Sequence, residues 1–131
     1  MEIDYKNLLE QAKDVSKWAY IPYSKFDVGA CVIFESGKTY CGCNVENASY
    51  GLSLCAERNA LSTAIAAGEI TKPVAIAIYS SKTEECVPCG ACRQWIYEFN
   101  SECQIVLQKD KTDITVYNIS DLLQKPFVLK P

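Results

Sequence analysis

The sequence predicts a three-layer α/β/α sandwich with a mixed central sheet, in one domain spanning residues 1–131. Three observations lead there. Apolar runs of strand length alternate with helical patterns, which puts helices on both faces of one sheet. The first two strand runs are joined only by a tight turn, so they pair antiparallel and the sheet is mixed. No linker, repeat or low-complexity tract divides the 131 residues, a length suited to a single core.

Each element has a local reason. Residues 4–19 place Leu8, Leu9, Ala12, Val15 and Ala19 at helical spacing, and Pro22 bars continuation. "DVGACVIF" (27–34) is a nearly unbroken apolar strand, "SGK" (36–38) a turn, and "TYCGCNV" a returning strand. In "SLCAERNALSTAIAAG" a helix runs from about Cys55 to Ala67, and Gly68 suits its C-terminal stop. "VAIAIYS" (74–80) reads as a strand buried on both faces. Pro88 then precedes a short helix with Cys92, Trp95, Ile96 and Phe99 on one side. "QIVLQ" and "DITVY" supply two more strands, and Ser120 can cap a last short turn before the tail "KPFVLKP".

Composition narrows function. Apolar residues make up 49% of the chain and the formal charge is −3, so a broad basic surface for nucleic acid is not expected. A nucleoside, which carries no phosphate, stays compatible. No apolar run approaches the roughly 20 residues of a membrane span, and no secretory signal opens the chain. The chain is therefore read as cytoplasmic with reduced thiols. There are eight cysteines and no histidine. Ser-His-Asp and Cys-His nucleophile systems are thereby excluded, and a transition-metal site must rest mainly on thiolates and carboxylates.

"PCGAC" carries the metal signal. Cys89 and Cys92 are three apart, so on a first helical turn both thiols face one way and can reach a tetrahedral zinc at about 2.3 Å. A redox pair or two core cysteines are the competing readings; a redox C-x-x-C usually follows the first strand of its domain, and this one comes late. Cys55 is the best third ligand because it too opens a helix, where the dipole favours a thiolate. Cys41 and Cys43 in "CGC" share one strand face and are its rivals, although buried strand cysteines are the plainer account of them. Cys31, Cys86 and Cys103 read as core or loop residues.

Three thiolates leave a fourth zinc position open to water, which marks a catalytic site. Glu57, two residues after Cys55, is placed to take and pass on the proton of that water. Zinc with three thiolates carries a net negative charge, and something must draw charge from the sulfurs. Two helix N-termini can do so, and Arg58 can add hydrogen bonds. Arg93 is open between that role and a surface charge.

"NVENASYGLSLCAER" followed by "PCGACRQ" closely resembles the cytidine deaminases, specifically the small homotetrameric kind. "YIPYSKFDVGA" and the tail phenylalanine extend the likeness over nearly the whole chain. The resemblance implies zinc-dependent hydrolytic deamination of cytidine and deoxycytidine, with Glu57 protonating N3 and then the leaving amine. It implies that Asn44 and Glu46 hold the ribose hydroxyls, that Phe26 packs on the base and that backbone at Ala56 meets the base carbonyl. Tyr50 and Phe127 are implied to reach across subunit interfaces of a tetramer with shared active sites. On spacing alone "NVEN" is a polar loop, and Phe26 and Phe127 are ordinary core or surface aromatics. Three rivals remain: a structural zinc protein completed by Cys41 or Cys43, a related deaminase acting on a blasticidin-type antibiotic or a free base, and a nucleic-acid editor or binder. Neither nucleic acid nor membrane is expected as a partner.

Overall fold

The computed structural model describes residues 1–130. Its elements are α1 (Tyr5–Ser16), β1 (Gly29–Phe34), β2 (Thr39–Cys43), a 3-10 turn (Tyr50–Leu52), α2 (Ala56–Ala66), β3 (Pro73–Tyr79), α3 (Gly90–Phe99), β4 (Gln104–Gln108), β5 (Ile114–Asn118) and α4 (Ile119–Leu122). One sheet has the order β2-β1-β3-β4-β5. Only β3 and β4 run parallel; the other neighbours are antiparallel.

Strand alternation divides the interior in two. On one face Ala75, Ala77, Cys31 and Val106 pack beneath Leu8, Leu9 and Ala12 of α1. On the other face Ile76, Ile78, Val32 and Ile105 meet Ala60 and Leu61 of α2 and Ile96 of α3. Small residues under α1 and larger branched ones under α2 and α3 match the predicted sandwich and the expectation that the central strand is buried on both sides.

Two glycines let helices lie directly on the first hairpin. A Cβ on Gly29 would stand 2.0 Å from the Ala12 carbonyl oxygen of α1. One on Gly42 would stand 2.4 Å from the Ala60 nitrogen and 2.8 Å from the Ala56 oxygen of α2. Gly42 therefore faces α2, and the residues on either side of it face α1. This contact seats the first turn of α2 against β2.

The ends of the elements have clear causes. Asp4 caps α1 by accepting from the Asn7 amide at 3.0 Å. The helix stops at Ser16, three residues before the predicted limit of Ala19. α2 closes with a Schellman arrangement, in which Gly68, at φ +87°, donates to Ile65 and Glu69 donates to Ala64. β1 begins two residues later than predicted. Asp27 is engaged instead with Ser81, accepting from its hydroxyl at 2.6 Å and its amide at 3.3 Å. The cap of α4 is a correction: Asn118, not Ser120, fills that position. Asn118 has the extended backbone of a cap, and its side-chain oxygen accepts from the Ser120 amide and hydroxyl, while Ser120 already lies within the helix. Among the described residues no helix is long and apolar enough to cross a membrane.

Candidate active site

The sulfurs of Cys55, Cys89 and Cys92 all lie within 4.8 Å of one another. Cys55 is the N-cap of α2 and Cys89 the N-cap of α3, both with extended backbone and neither making a side-chain cap hydrogen bond. Their thiols are thus free of capping duty, and the positive ends of two helices converge on one cluster. Cys92 comes from the first turn of α3 and is buried. A tetrahedral zinc with sulfurs at about 2.3 Å spaces them about 3.8 Å apart; Cys55 and Cys89 stand at 3.7 Å. Donor type and spacing both fit the predicted metal. Cys41 and Cys43 do not join the cluster. They flank Gly42 and so point to the α1 face, across the sheet from α2 and α3.

Charge is arranged around the sulfurs. Arg58 donates from Nη2 to the Cys55 sulfur at 3.4 Å, while its buried Nε has no hydrogen-bond partner. The Cys92 thiol, donating to Cys55, and then Arg58 pull Cys55 down to about 5. Cys92 is correspondingly pushed up, first by that hydrogen bond and then by burial. Glu57 is 4% exposed, with no residue on the described chain forming a salt bridge to it. Burial, with the neighbouring Cys55 thiolate adding to it, pushes its carboxyl up to about 7.

A second group lies at the end of the β1–β2 hairpin. Glu46 accepts through Oε1 from the amides of Tyr23 and Ser24, at 3.0 and 3.1 Å, and its carboxyl is pulled down, first by the Ser24 side chain and then by these amides. Glu46, Tyr23, Ser24, Tyr50 and Ser53 line a cavity of about 370 Å³. The Asn44 amide is engaged with backbone: it donates to the Phe26 carbonyl at 2.8 Å and accepts from Val28 at 2.9 Å. Phe26 is thereby held at the mouth of β1. Ala56 is fully buried at the start of α2. Tyr50 and Phe127 are 75% and 71% exposed. Gln94 grips the Phe127 backbone at both its amide and its carbonyl.

The family model described as the cytidine and deoxycytidylate deaminase zinc-binding region matches residues 2–108. The chain belongs to this deaminase family. Its sequence is 39% identical to a cytidine deaminase of Sporosarcina psychrophila over 126 residues, covering 95% of this chain and 92% of the relative. The fold superposes on a crystal structure of cytidine deaminase from Burkholderia pseudomallei with a TM-score of 0.88 and 43% identity, covering 95% of this chain and all of that one. A cytidine deaminase structure from Mycobacterium tuberculosis gives a TM-score of 0.86 at 36% identity, covering 98% of this chain and 100% of that chain.

Several residues support the site in ways that the sequence reading left open or did not single out. Arg93 does not donate to sulfur; its Nε and Nη1 donate at 2.8 Å to the carbonyls of Pro88 and Leu122, clamping the loop before Cys89 to α4. Asn59 donates to the Cys43 carbonyl at 2.8 Å and so fastens α2 to β2. Tyr23 and Ser24 act through backbone amides, which no side-chain pattern reveals. Gly42 was visible inside "CGC", but only the fold shows that its missing Cβ admits α2.

One zinc per chain is expected by metal analysis of the purified protein. Cys55→Ser should lose it, whereas Cys41→Ser and Cys43→Ser should keep it. Zinc retained in the first and lost in either of the others would overturn the ligand assignment.

Proposed function

We propose that this chain is a zinc-dependent cytidine deaminase that converts cytidine and deoxycytidine to uridine and deoxyuridine with release of ammonia. The observation that carries the reading is the Glu57 carboxyl, buried on the first turn of α2 beside the three-thiol cluster. Cys55, Cys89 and Cys92 would hold the metal. When bound, zinc supplies a Lewis acid with one position open to water, whose pKa it lowers.

Glu57 takes a proton from the attacking water and delivers it to N3 of the pyrimidine, which makes C4 electrophilic. It then takes the proton of the new C4 hydroxyl and passes it to the amine, so that the C4–N bond breaks, the C4 carbonyl forms and ammonia leaves. Burial excludes bulk water from this carboxyl and strengthens each transfer contact. Arg58 holds Cys55 in its thiolate form by hydrogen bonding and offsets the negative charge gathered on sulfur. Backbone at Ala56 meets the base carbonyl, and Phe26 packs on the base. Glu46, fixed by two backbone amides through one oxygen, keeps the other for a ribose hydroxyl, and Asn44 supports the same grip.

Glu57→Gln should fold and retain zinc yet lose turnover by at least the ~10²–10⁴-fold typical of a general acid–base. Ammonia release by a variant with matched zinc content measures this. Activity within tenfold of the parent would remove Glu57 from the proton path.

The sugar grip makes a separate test possible. A pocket that hydrogen-bonds hydroxyls discriminates against analogues lacking them by ~10⁴–10⁵-fold. Free cytosine should therefore be a very poor substrate, and Glu46→Ala should lower kcat/KM for cytidine far more than for cytosine. Comparable values for cytidine and cytosine in the parent enzyme would overturn the role of Glu46.

The exposed rings of Tyr50 and Phe127 suit burial against other copies of the chain, in a homotetramer that shares its active sites. Acting on free nucleosides, such an enzyme serves pyrimidine salvage in the cytoplasm. Sedimentation should give a tetramer whose dissociation abolishes turnover; a fully active monomer would refute the shared sites.

A further inference from the structure

A second pair of thiols lies across the sheet from the metal site. Cys31 of β1 and Cys41 of β2 are direct partners in the antiparallel register. The hydrogen bonds at the two ends of the hairpin define which kind of pair they form. Asn44 donates to the Val28 carbonyl at 3.2 Å, and Phe34 donates to the Lys38 carbonyl at 3.0 Å. Pairs 28/44 and 34/38 are thus hydrogen-bonded, and the alternation of an antiparallel ladder makes 30/42 and 32/40 hydrogen-bonded as well. Cys31 and Cys41 then form a non-hydrogen-bonded pair, whose Cα atoms stand about 4.5 Å apart with both side chains on one face. That separation falls inside the window of about 4.4–6.8 Å that a disulfide spans. The hairpin therefore presents two sulfurs that can bond without moving either strand.

The surroundings favour the reaction. Cys31 is fully buried beneath α1, and its thiol donates to Gln11 Oε1 at 3.4 Å. Cys41 is only partly buried, so it is the member an oxidant meets first. The neighbouring Cys31 sulfur pulls Cys41 down, and the same neighbour, followed by burial, pushes Cys31 up. A nucleophilic partner at the surface and a protonated one behind it form the arrangement of an attacking and a resolving cysteine.

We propose that Cys31 and Cys41 are a redox-active dithiol that closes to a disulfide across the β1–β2 hairpin when it meets a peroxide. The Cys41 thiolate attacks one peroxide oxygen, the O–O bond breaks, and the departing hydroxide takes the proton that Cys41 released, giving water and a sulfenic acid. The Cys31 sulfur then attacks the Cys41 sulfur. The S–S bond forms, the S–O bond breaks, and the leaving hydroxide takes the Cys31 proton as a second water. Two thiols lose two electrons and one peroxide becomes two waters. Because both sulfurs face α1, the bond forms on the opposite side of the sheet from Cys55, Cys89 and Cys92, and the metal site is spared.

The test uses the zinc-loaded protein and hydrogen peroxide, followed by alkylation of the remaining thiols and tryptic mapping. Cleavage places Cys31 in peptide 26–38 and Cys41 in peptide 39–58, together with Cys43 and Cys55. These two peptides should be recovered joined, with fragmentation placing the bond between Cys31 and Cys41, and should separate on reduction. Zinc content should be unchanged at that stage. Cys43→Ser should still form the link, and Cys41→Ser should not. A bond from Cys31 to Cys43 instead, or release of zinc while Cys31 and Cys41 are both recovered alkylated, would overturn the proposal.

Discussion

Three sulfurs held within 4.8 Å of one another, from a buried Cys92 to an exposed Cys89, gather negative charge as each becomes a thiolate ligand, and that charge needs a compensating field. Two helix N-termini and the Arg58 guanidinium supply it before any metal arrives. Much of the surrounding structure keeps those positive groups in place. Gly42 brings α2 down onto β2, Asn59 fastens it there, and Arg93 fixes the loop that delivers Cys89 and Cys92. Each contact is a modest interaction, yet each limits how far the two helix starts can drift apart.

The same economy governs the substrate side. Asn44 holds the strand that presents Phe26, and Glu46 is held by the chain segment that forms one wall of its cavity. The side chains proposed to grip the sugar thus also brace the backbone around their cavity. A site built this way is preorganised: its polar groups already have fixed directions and lose little freedom when a ligand enters.

The sandwich was legible because its signals are local. Strand-length apolar runs, the "SGK" turn and Gly68 each act within a few residues, and the thiol cluster announced itself through a C-x-x-C and a third cysteine at another helix start. Other features depend on distant parts of the chain. Whether Cys41 and Cys43 approach Cys55 turns on strand parity, which a strand read alone leaves undetermined; Gly42 resolves it through contact with α2. The role of Arg93 depends on Leu122, 29 residues away. The α4 cap was misplaced by two residues because Asn118 and Ser120 are both good capping types, and only backbone geometry separates them.

Strand parity has a consequence for how this hairpin can vary. Residues 40 and 42 serve the α2 side and residues 41 and 43 the α1 side, so a single inserted or deleted residue upstream in β2 exchanges the two sets. A cysteine would then be driven into the backbone of α2 where only glycine fits, and the small residue would leave a gap under α1. A change of two residues restores the faces but brings Tyr40 or Asn44 in place of Gly42 against α2, so the pleat and this single glycine together hold β2 to its length.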